Sequence, residues 1–201
     1  VDALPTTPGT IGNTYGFGEG YVAVGRSVSE IVNTAVTLPD GLPQQVGDFQ
    51  PDYRMAFSNE FTLGPVRLFG LLDWSRGGNA INLTDLYFDT GPGLWADSAQ
   101  SVKRFASFAG GATAYVEDAS FVKLRQLSLT YTLPSQLFAW TRGRVTNAKL
   151  SATAYNVLAW FKYDGLDPEL STNGNQQVTR GQEITNYPPA RSYFLGLELG
   201  F

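Results

Sequence analysis

Apolar and polar residues alternate along much of this chain in bursts of about ten positions that end in turn residues, the period-two signature of β-strands. The clearest burst is Arg191–Phe201, where Tyr193, Leu195, Leu197, Leu199 and Phe201 share one face. Ser192, Gly196, Glu198 and Gly200 share the other, with Phe194 the exception. An oily face opposite a small or charged one, over the about 9–11 residues of a tilted membrane strand, predicts that the five apolar residues face lipid. Upstream, Phe121–Leu133 sets Leu127, Leu129, Tyr131 and Leu133 against Gln126, Ser128, Thr130 and Thr132. Asp52–Leu63 sets Tyr53, Met55, Phe57, Phe61 and Leu63 against Arg54, Ser58, Glu60 and Thr62. Val66–Trp74 is apolar on both faces through its middle, and Ala148–Ala159 alternates with its faces poorly separated. Gly20–Val24 reads as the end of an earlier strand.

The connections differ in length, and the difference has a direction. Gly64-Pro65 is a tight turn and Pro134–Asn147 a modest connection, whereas Ser75–Ser120 and Trp160–Pro189 are long and rich in Gly, Asp, Asn and Thr. Membrane barrels carry short periplasmic turns and long extracellular loops. With Phe201 ending in the periplasm, strand alternation puts the two long connections outside and the two short ones inside. Periodicity by itself also suits a soluble β-sandwich, so both architectures stay open at this point.

Composition narrows the classes. Charged residues make up 16% of the chain, against about 25% in soluble domains, so part of the surface is expected not to face water. No stretch reaches the roughly 20 apolar residues of a membrane helix. The net charge of −4 and the lack of a clustered Lys/Arg face argue against nucleic-acid binding. Without cysteine or histidine there is no Cys/His zinc site, no cysteine nucleophile and no Ser-His-Asp arrangement. Neither a carboxylate pair nor a Ser-Lys pair has convincing spacing, so the chain reads as a non-enzyme with no cofactor and no metal. It starts at Val1 with nothing resembling a signal peptide, the expectation for a mature or cut exported protein.

Particular stretches carry a resemblance. Asp48-Phe-Gln-Pro-Asp-Tyr-Arg-Met-Ala-Phe-Ser-Asn59 is followed by Phe61-Thr-Leu, and Leu71-Leu-Asp-Trp74 by Gly77-Gly-Asn-Ala-Ile-Asn82. Tyr115-Val-Glu-Asp-Ala-Ser-Phe-Val-Lys-Leu-Arg-Gln-Leu-Ser-Leu-Thr-Tyr-Thr-Leu-Pro134 comes next. Then follow Ala154-Tyr-Asn-Val-Leu158 with Tyr163-Asp-Gly-Leu-Asp-Pro-Glu169, and last Tyr187-Pro-Pro-Ala-Arg-Ser-Tyr-Phe-Leu-Gly-Leu197. In content and order these blocks, spanning about Gly47 to Phe201, resemble the C-terminal barrel portion of SusC/RagA-type TonB-dependent outer-membrane transporters. Ala56, Val157-Leu158 and Ala190 depart from the family's usual residues.

The resemblance implies an all-β fold, the antiparallel C-terminal strands of a transmembrane barrel of about 22 strands with a plugged lumen. On that reading, residues 1–50 hold a preceding strand end and loop. Residues 51–201 hold the barrel strands with two long extracellular loops, about 75–120 and 160–189. It also implies energised import of oligosaccharides, peptides or similar nutrients across the outer membrane of a Gram-negative-type bacterium. The partners it implies are outer-membrane lipid, upstream strands and plug of the same protein, a SusD-type lipoprotein, and the TonB system acting through regions this stretch lacks.

Candidate contacts are few. The loop aromatics Tyr87, Trp95, Trp160 and Tyr163 can stack on a ligand such as a sugar, since an aromatic ring combines apolar area with a polar tip. The plainer reading is an interfacial girdle or loop packing, and Trp74 and Trp160 sit at outer strand ends where girdle aromatics belong. Glu117, Asp118, Lys123 and Arg125 read better as a solvated, ion-paired strand end than as ligand contacts. Asp164, Asp167 and Glu169 read as a turn, which Asp, Gly and Pro favour. Two alternatives remain: a soluble carbohydrate-binding β-domain, and a fragment that self-associates through strand edges, because five or six strands cannot close a barrel whose smallest form has about eight.

Overall fold

The computed structural model describes residues 30–37, 39, 43–90, 101–102, 104, 112–170 and 181–201. In chain order the strands are β1 (Glu30–Thr37), β2 (Pro43–Asp48), β3 (Tyr53–Leu63), β4 (Val66–Arg76) and β5 (Asn79–Asn82). Helix α1 (Leu83–Thr90) follows, then β6 (Val116–Asp118), β7 (Phe121–Thr132), β8 (Asn147–Phe161), β9 (Gln182–Glu183) and β10 (Ser192–Gly200). Gly20–Val24 lies outside the described residues.

The chain divides into two compact units. The first, a sheet unit of Arg54–Ser75, Phe121–Trp160 and Pro189–Phe201, carries the long strands in the order β10-β8-β7-β4-β3. Strand neighbours in sequence are neighbours in the sheet. Gly64, at φ +56, supplies the left-handed residue that a two-residue hairpin between β3 and β4 requires. Between β7 and β8 the chain makes a 3-10 helix, Ser135–Thr141, and the hydrogen bond from Leu133 N to Ala148 O closes the connection at 2.9 Å.

Register resolves the strands whose faces sequence left mixed. Leu195 stands opposite Ala152, Leu197 opposite Leu150 and Leu199 opposite Ala148, while Glu198 stands opposite Lys149 and Gly196 opposite Ser151. Thus Ala148, Leu150, Ala152 and Ala154 continue the apolar face of β10. On β4, Leu68 meets Leu129 and Leu72 meets Leu124, while Phe69 meets Ser128 and Asp73 meets Lys123. A one-residue bulge falls at Arg125, since Leu71 pairs with Gln126 but Leu72 with Leu124. The bulge keeps Leu124 and Val122 in phase with Leu127 and Leu129.

The result is a five-strand sheet with one apolar face, interrupted on β3 by Asn59, and one largely polar face. The polar face holds the Lys149–Glu198 pair at 3.0 Å and the Arg67–Glu60 pair at 2.8 Å. Phe194 sits there edge-on to Tyr155, ring centres 5.8 Å apart. The apolar face stays open: Leu195 and Leu63 are 85% and 83% exposed, Phe61 64% and Leu197 62%. A soluble sandwich buries one face of each sheet against the other. This one is uncovered, and a contiguous exposed apolar face marks an interaction or membrane surface.

The loop unit holds the described residues of 30–53, 76–120 and 161–188. Here β1 and β2 form an antiparallel hairpin, adding structure where sequence suggests only a strand end and loop. Strand β5 pairs antiparallel with β6 and parallel with β9. Ile81, Leu83, Leu86 and Tyr115 form its core, with Val46, Phe49, Val116 and Ile184 packed around them. Neither long connection is therefore structureless.

Candidate functional site

Two polar assemblies stand out, one in each unit. In the loop unit, Asn82 is buried and its Oδ1 accepts the backbone N–H of Asp85 at 3.0 Å, an N-cap that starts α1. Around α1 lies a set of buried and half-buried carboxylates. Asp89 accepts hydrogen bonds from Ser101 Oγ (2.5 Å), Arg104 Nε (2.8 Å) and Tyr115 Oη (3.1 Å). Glu183, wholly buried, accepts from Thr84 Oγ1 (2.8 Å), Tyr163 Oη (2.9 Å) and Leu166 N (3.2 Å). Glu117 accepts from Asn82 Nδ2 (3.2 Å) and Asp164 N (2.7 Å). Gly165 has to be glycine, because a Cβ there collides with the Tyr163 ring and the Glu183 carboxylate. Beside these groups lies a pocket of about 270 Å³ lined by Thr84, Asp85, Phe88, Arg104 and Leu166 among others.

The carboxylates differ in protonation. Burial pushes Asp89 up, but hydrogen bonds from Arg104, Ser101 and Tyr115 outweigh it and hold its pKa below the usual range. Burial raises Asp85 and Glu117, only partly offset by Arg104 for Asp85 and by the Asp164 N–H and Asn82 for Glu117. Burial and then the neighbouring carboxylate raise both tyrosines, Tyr115 beside Asp89 and Tyr163 beside Glu183, so both stay protonated donors.

A pH dependence follows with a definite sign. Asp85 and Glu117 bind protons more tightly folded than unfolded, so stability rises as pH falls from neutrality through their raised values. Asp89 does the reverse: its contribution is full above the unfolded carboxylate value, about 4, and is lost as pH falls through its depressed value. Amide-exchange protection of α1 in the intact protein, corrected for intrinsic rates, is expected to peak near about pH 4 and drop below it. Asp89→Asn should shrink the acid-side drop, to which Asp118, lowered by its Ser120 hydrogen bonds, also contributes, and protection falling steadily from pH 7 downward would contradict the assignment.

The sheet unit's assembly lies on its polar face. Asp73 on β4 is gripped from both neighbouring strands, by Arg54 of β3 (Nη2 to Oδ2, 2.6 Å) and Arg125 of β7 (Nη2 to Oδ2, 2.8 Å). The bulge at Arg125 makes this possible, since a bulged strand re-aims its extra side chain. Phe121, buried, receives Lys123 at 4.6 Å from its ring centre and Arg54 and Arg125 at 5.6 Å each. One ring and one carboxylate thus organise three cations.

No protein-family model matches the chain. TonB-dependent receptor P3 of Formosa agariphila is 29% identical over 171 residues, 78% of this chain. TonB-dependent receptor P26 of the same organism is 34% identical over 92 residues, 44% of this chain. The chain spans 17% and 9% of the length of these two relatives. Among solved structures, the RagAB peptide importer in its open-open state superposes with a TM-score of 0.61 at 21% identity, over 86% of this chain and 21% of that one. The structure of the RagAB peptide transporter gives 0.60 at 23% identity, over 90% and 20%. The chain is thus similar in sequence to TonB-dependent receptors and in fold to part of the RagAB structures. The open five-strand sheet has the fold of a portion of those barrels and does not close by itself. These relatives are receptors and importers rather than enzymes.

The four aromatics singled out by sequence separate in the structure. Tyr87 on α1 is 53% exposed and Trp160 at the end of β8 is 52% exposed. Tyr163 is buried at 4% with its hydroxyl on Glu183, so its ring serves the loop core. Trp95 lies outside the described residues. Asp167 makes a turn, its Oδ1 accepting the N–H of Glu169 at 2.9 Å. Asp118 caps its own turn through Ser120 N at 2.9 Å, and Lys123 and Arg125 belong to the Phe121–Asp73 assembly. Asp89, Arg104, Tyr115 and Glu183 were not anticipated. Asn82 with Asp85 three residues on is a readable capping signal that could have revealed α1, but no local pattern announces Glu183. Among the described residues no helix is long and apolar enough to cross a membrane, which says nothing of crossing by strands.

Proposed function

We propose that this chain forms part of the wall of an outer-membrane barrel that imports nutrients with energy from the TonB system. The observation that carries the reading is the segregation of faces across five registered strands. An uncovered apolar face suits lipid, and an ion-paired polar face suits a lumen. Tyr193, Leu195, Leu197, Leu199 and Phe201 are then the lipid contacts of β10. The sheet edges, β3 and β10, pair with other strands of the full barrel, since closure removes the edge that would otherwise stack or aggregate. Residues 51–201 supply strands with two extracellular loops, about 75–120 and 160–189. Their internal cores and buried carboxylates keep them ordered outside the membrane.

Import itself draws on the relatives. The RagAB structures are named for a peptide importer, and peptides or oligosaccharides are the cargo proposed here, handed over by a SusD-type lipoprotein. Gating and energy coupling fall to a plug and a TonB contact in other parts of the protein. Exposed Tyr87 and Trp160 are the proposed ligand-contacting aromatics of this segment, with Trp95 as a further candidate from sequence.

Orientation gives the test. A protease site inserted at Gly91–Gly93, a stretch outside the described residues, should be cut from outside intact cells. One inserted at Gly143 should be cut only after outer-membrane permeabilisation. Cleavage at Gly143 in intact cells with protection at Gly91–Gly93 inverts the topology and removes the importer reading. Cells lacking the full transporter should also lose uptake of labelled peptide or oligosaccharide pools, and collapse of the proton gradient should abolish that uptake in the wild type.

A further inference from the structure

The connection between β7 and β8 does not resemble the rest of this acidic chain. Pro134–Asn147 carries two arginines and no acidic residue. Its 3-10 helix puts Leu137 and Trp140 into the open, 59% and 82% exposed. Immediately after, Arg142 (φ 55) and Gly143 (φ 81) are both left-handed, reversing the chain so that exposed Arg142 and Arg144 flank the bend. Neither arginine side chain forms an ion pair among the described residues. Register fixes the location: Val66 pairs with Tyr131 and Gly200 with Asn147. The connection therefore stands at the same end of the sheet as the Gly64-Pro65 turn and Phe201, continuous with the rim of the apolar face.

An exposed tryptophan and leucine next to two unpaired guanidiniums are costly or idle in plain water. At a membrane–water boundary both find partners: the indole and leucine enter the upper acyl region, and the arginines meet phosphate oxygens. We infer that Leu137, Trp140, Arg142 and Arg144 form an interfacial anchor that binds the phosphodiester headgroup of an anionic phospholipid at the barrel's short-turn rim. The inference rests on the lipid-facing reading of the sheet and adds a headgroup preference to it. Arg142 supports a headgroup role as well, since it occupies a left-handed conformation that glycine or asparagine adopts more easily.

The test uses the full-length transporter in detergent, titrated with phosphatidylglycerol or phosphatidylcholine and read by native mass spectrometry. A basic side chain near anionic lipid is worth enough that the association constant for the first phosphatidylglycerol should fall about fivefold per arginine removed in R142Q/R144Q. Binding of phosphatidylcholine should be unchanged. R142K/R144K should retain most of the preference, and Trp140→Ala should weaken both lipids alike. Wild-type phosphatidylglycerol binding by R142Q/R144Q overturns the anchor. Failure of the sheet-face reading is seen separately, as tolerance of arginine at Leu197.

Discussion

If the apolar face of β10 meets lipid as proposed, replacing Leu197 with arginine in the intact protein should lower its stability by about 2–4 kcal/mol, the cost of a basic side chain near the bilayer midplane. Leu197 is near the middle of β10, opposite Leu150, on the face away from the Lys149–Glu198 pair. Glu198→Arg one position on tests the other face. It breaks the Lys149–Glu198 pair and sets two cations opposite each other, yet both side chains are well exposed, at 41% and 67%. Such a pair is worth at most about 1 kcal/mol. Denaturant titration of the refolded transporter in lipid vesicles should therefore separate two neighbouring arginine variants by a wide margin. Equal losses for the two would reject the assignment of faces.

Most of the sheet was legible because its strands obey one rule over many residues. Arg191–Phe201, Phe121–Leu133 and Asp52–Leu63 alternate cleanly, and the structure's β10, β7 and β3 begin and end within two residues of those ranges. The harder strands needed their neighbours. Val66–Trp74 has Leu, Phe or Gly at nearly every middle position, so its inward and outward residues become distinguishable only through partners such as Ser128 beside Phe69 and Leu129 beside Leu68. Ala148–Ala159 has mostly small apolar residues on the face it shares with the leucines of β10, which give a weak contrast with Ser151 and Thr153. The bulge had a trace in sequence: Arg125 and Gln126 stand together between Leu124 and Leu127, one polar residue too many for strict alternation. Read as a bulge, that extra residue restores the phase of Leu124 and Val122.

The loop unit was much less legible. Its organisation depends on contacts between segments far apart in sequence, such as Thr84 with Glu183 and Glu117 with Asp164. No periodicity links such positions. A buried glutamate held by three donors cannot be told in sequence from an exposed one. The aromatic pattern misled for a related reason: Tyr163 and Trp160 are three residues apart and look alike as ligand candidates. The chain leaves β8 between them, and one ring enters a core while the other remains exposed.

The assembly around Asp73 should prove the most sensitive point of the sheet. Asp73→Asn keeps the shape but removes the charge that Arg54 and Arg125 both grip, leaving these two guanidiniums and Lys123 crowded about the Phe121 ring. Removing one partner from a fully buried ion pair costs about 3–5 kcal/mol. Here the guanidiniums left behind are 46% and 22% exposed, so solvent screening lowers the expected cost to about 1–3 kcal/mol. The Asp73 side chain is only 9% exposed, while Arg54 is 46% exposed. Arg54→Gln should consequently cost far less, since the surviving Arg125–Asp73 pair keeps the carboxylate satisfied. The double variant D73N/R54Q should recover part of the loss by removing one of the three crowded cations, a non-additivity expected of residues in direct contact. The temperature at which the full transporter loses its folded electrophoretic mobility provides the measurement. A D73N change within about 0.5 kcal/mol of wild type, the range of ordinary surface substitutions, would mean that this cluster is incidental to the sheet.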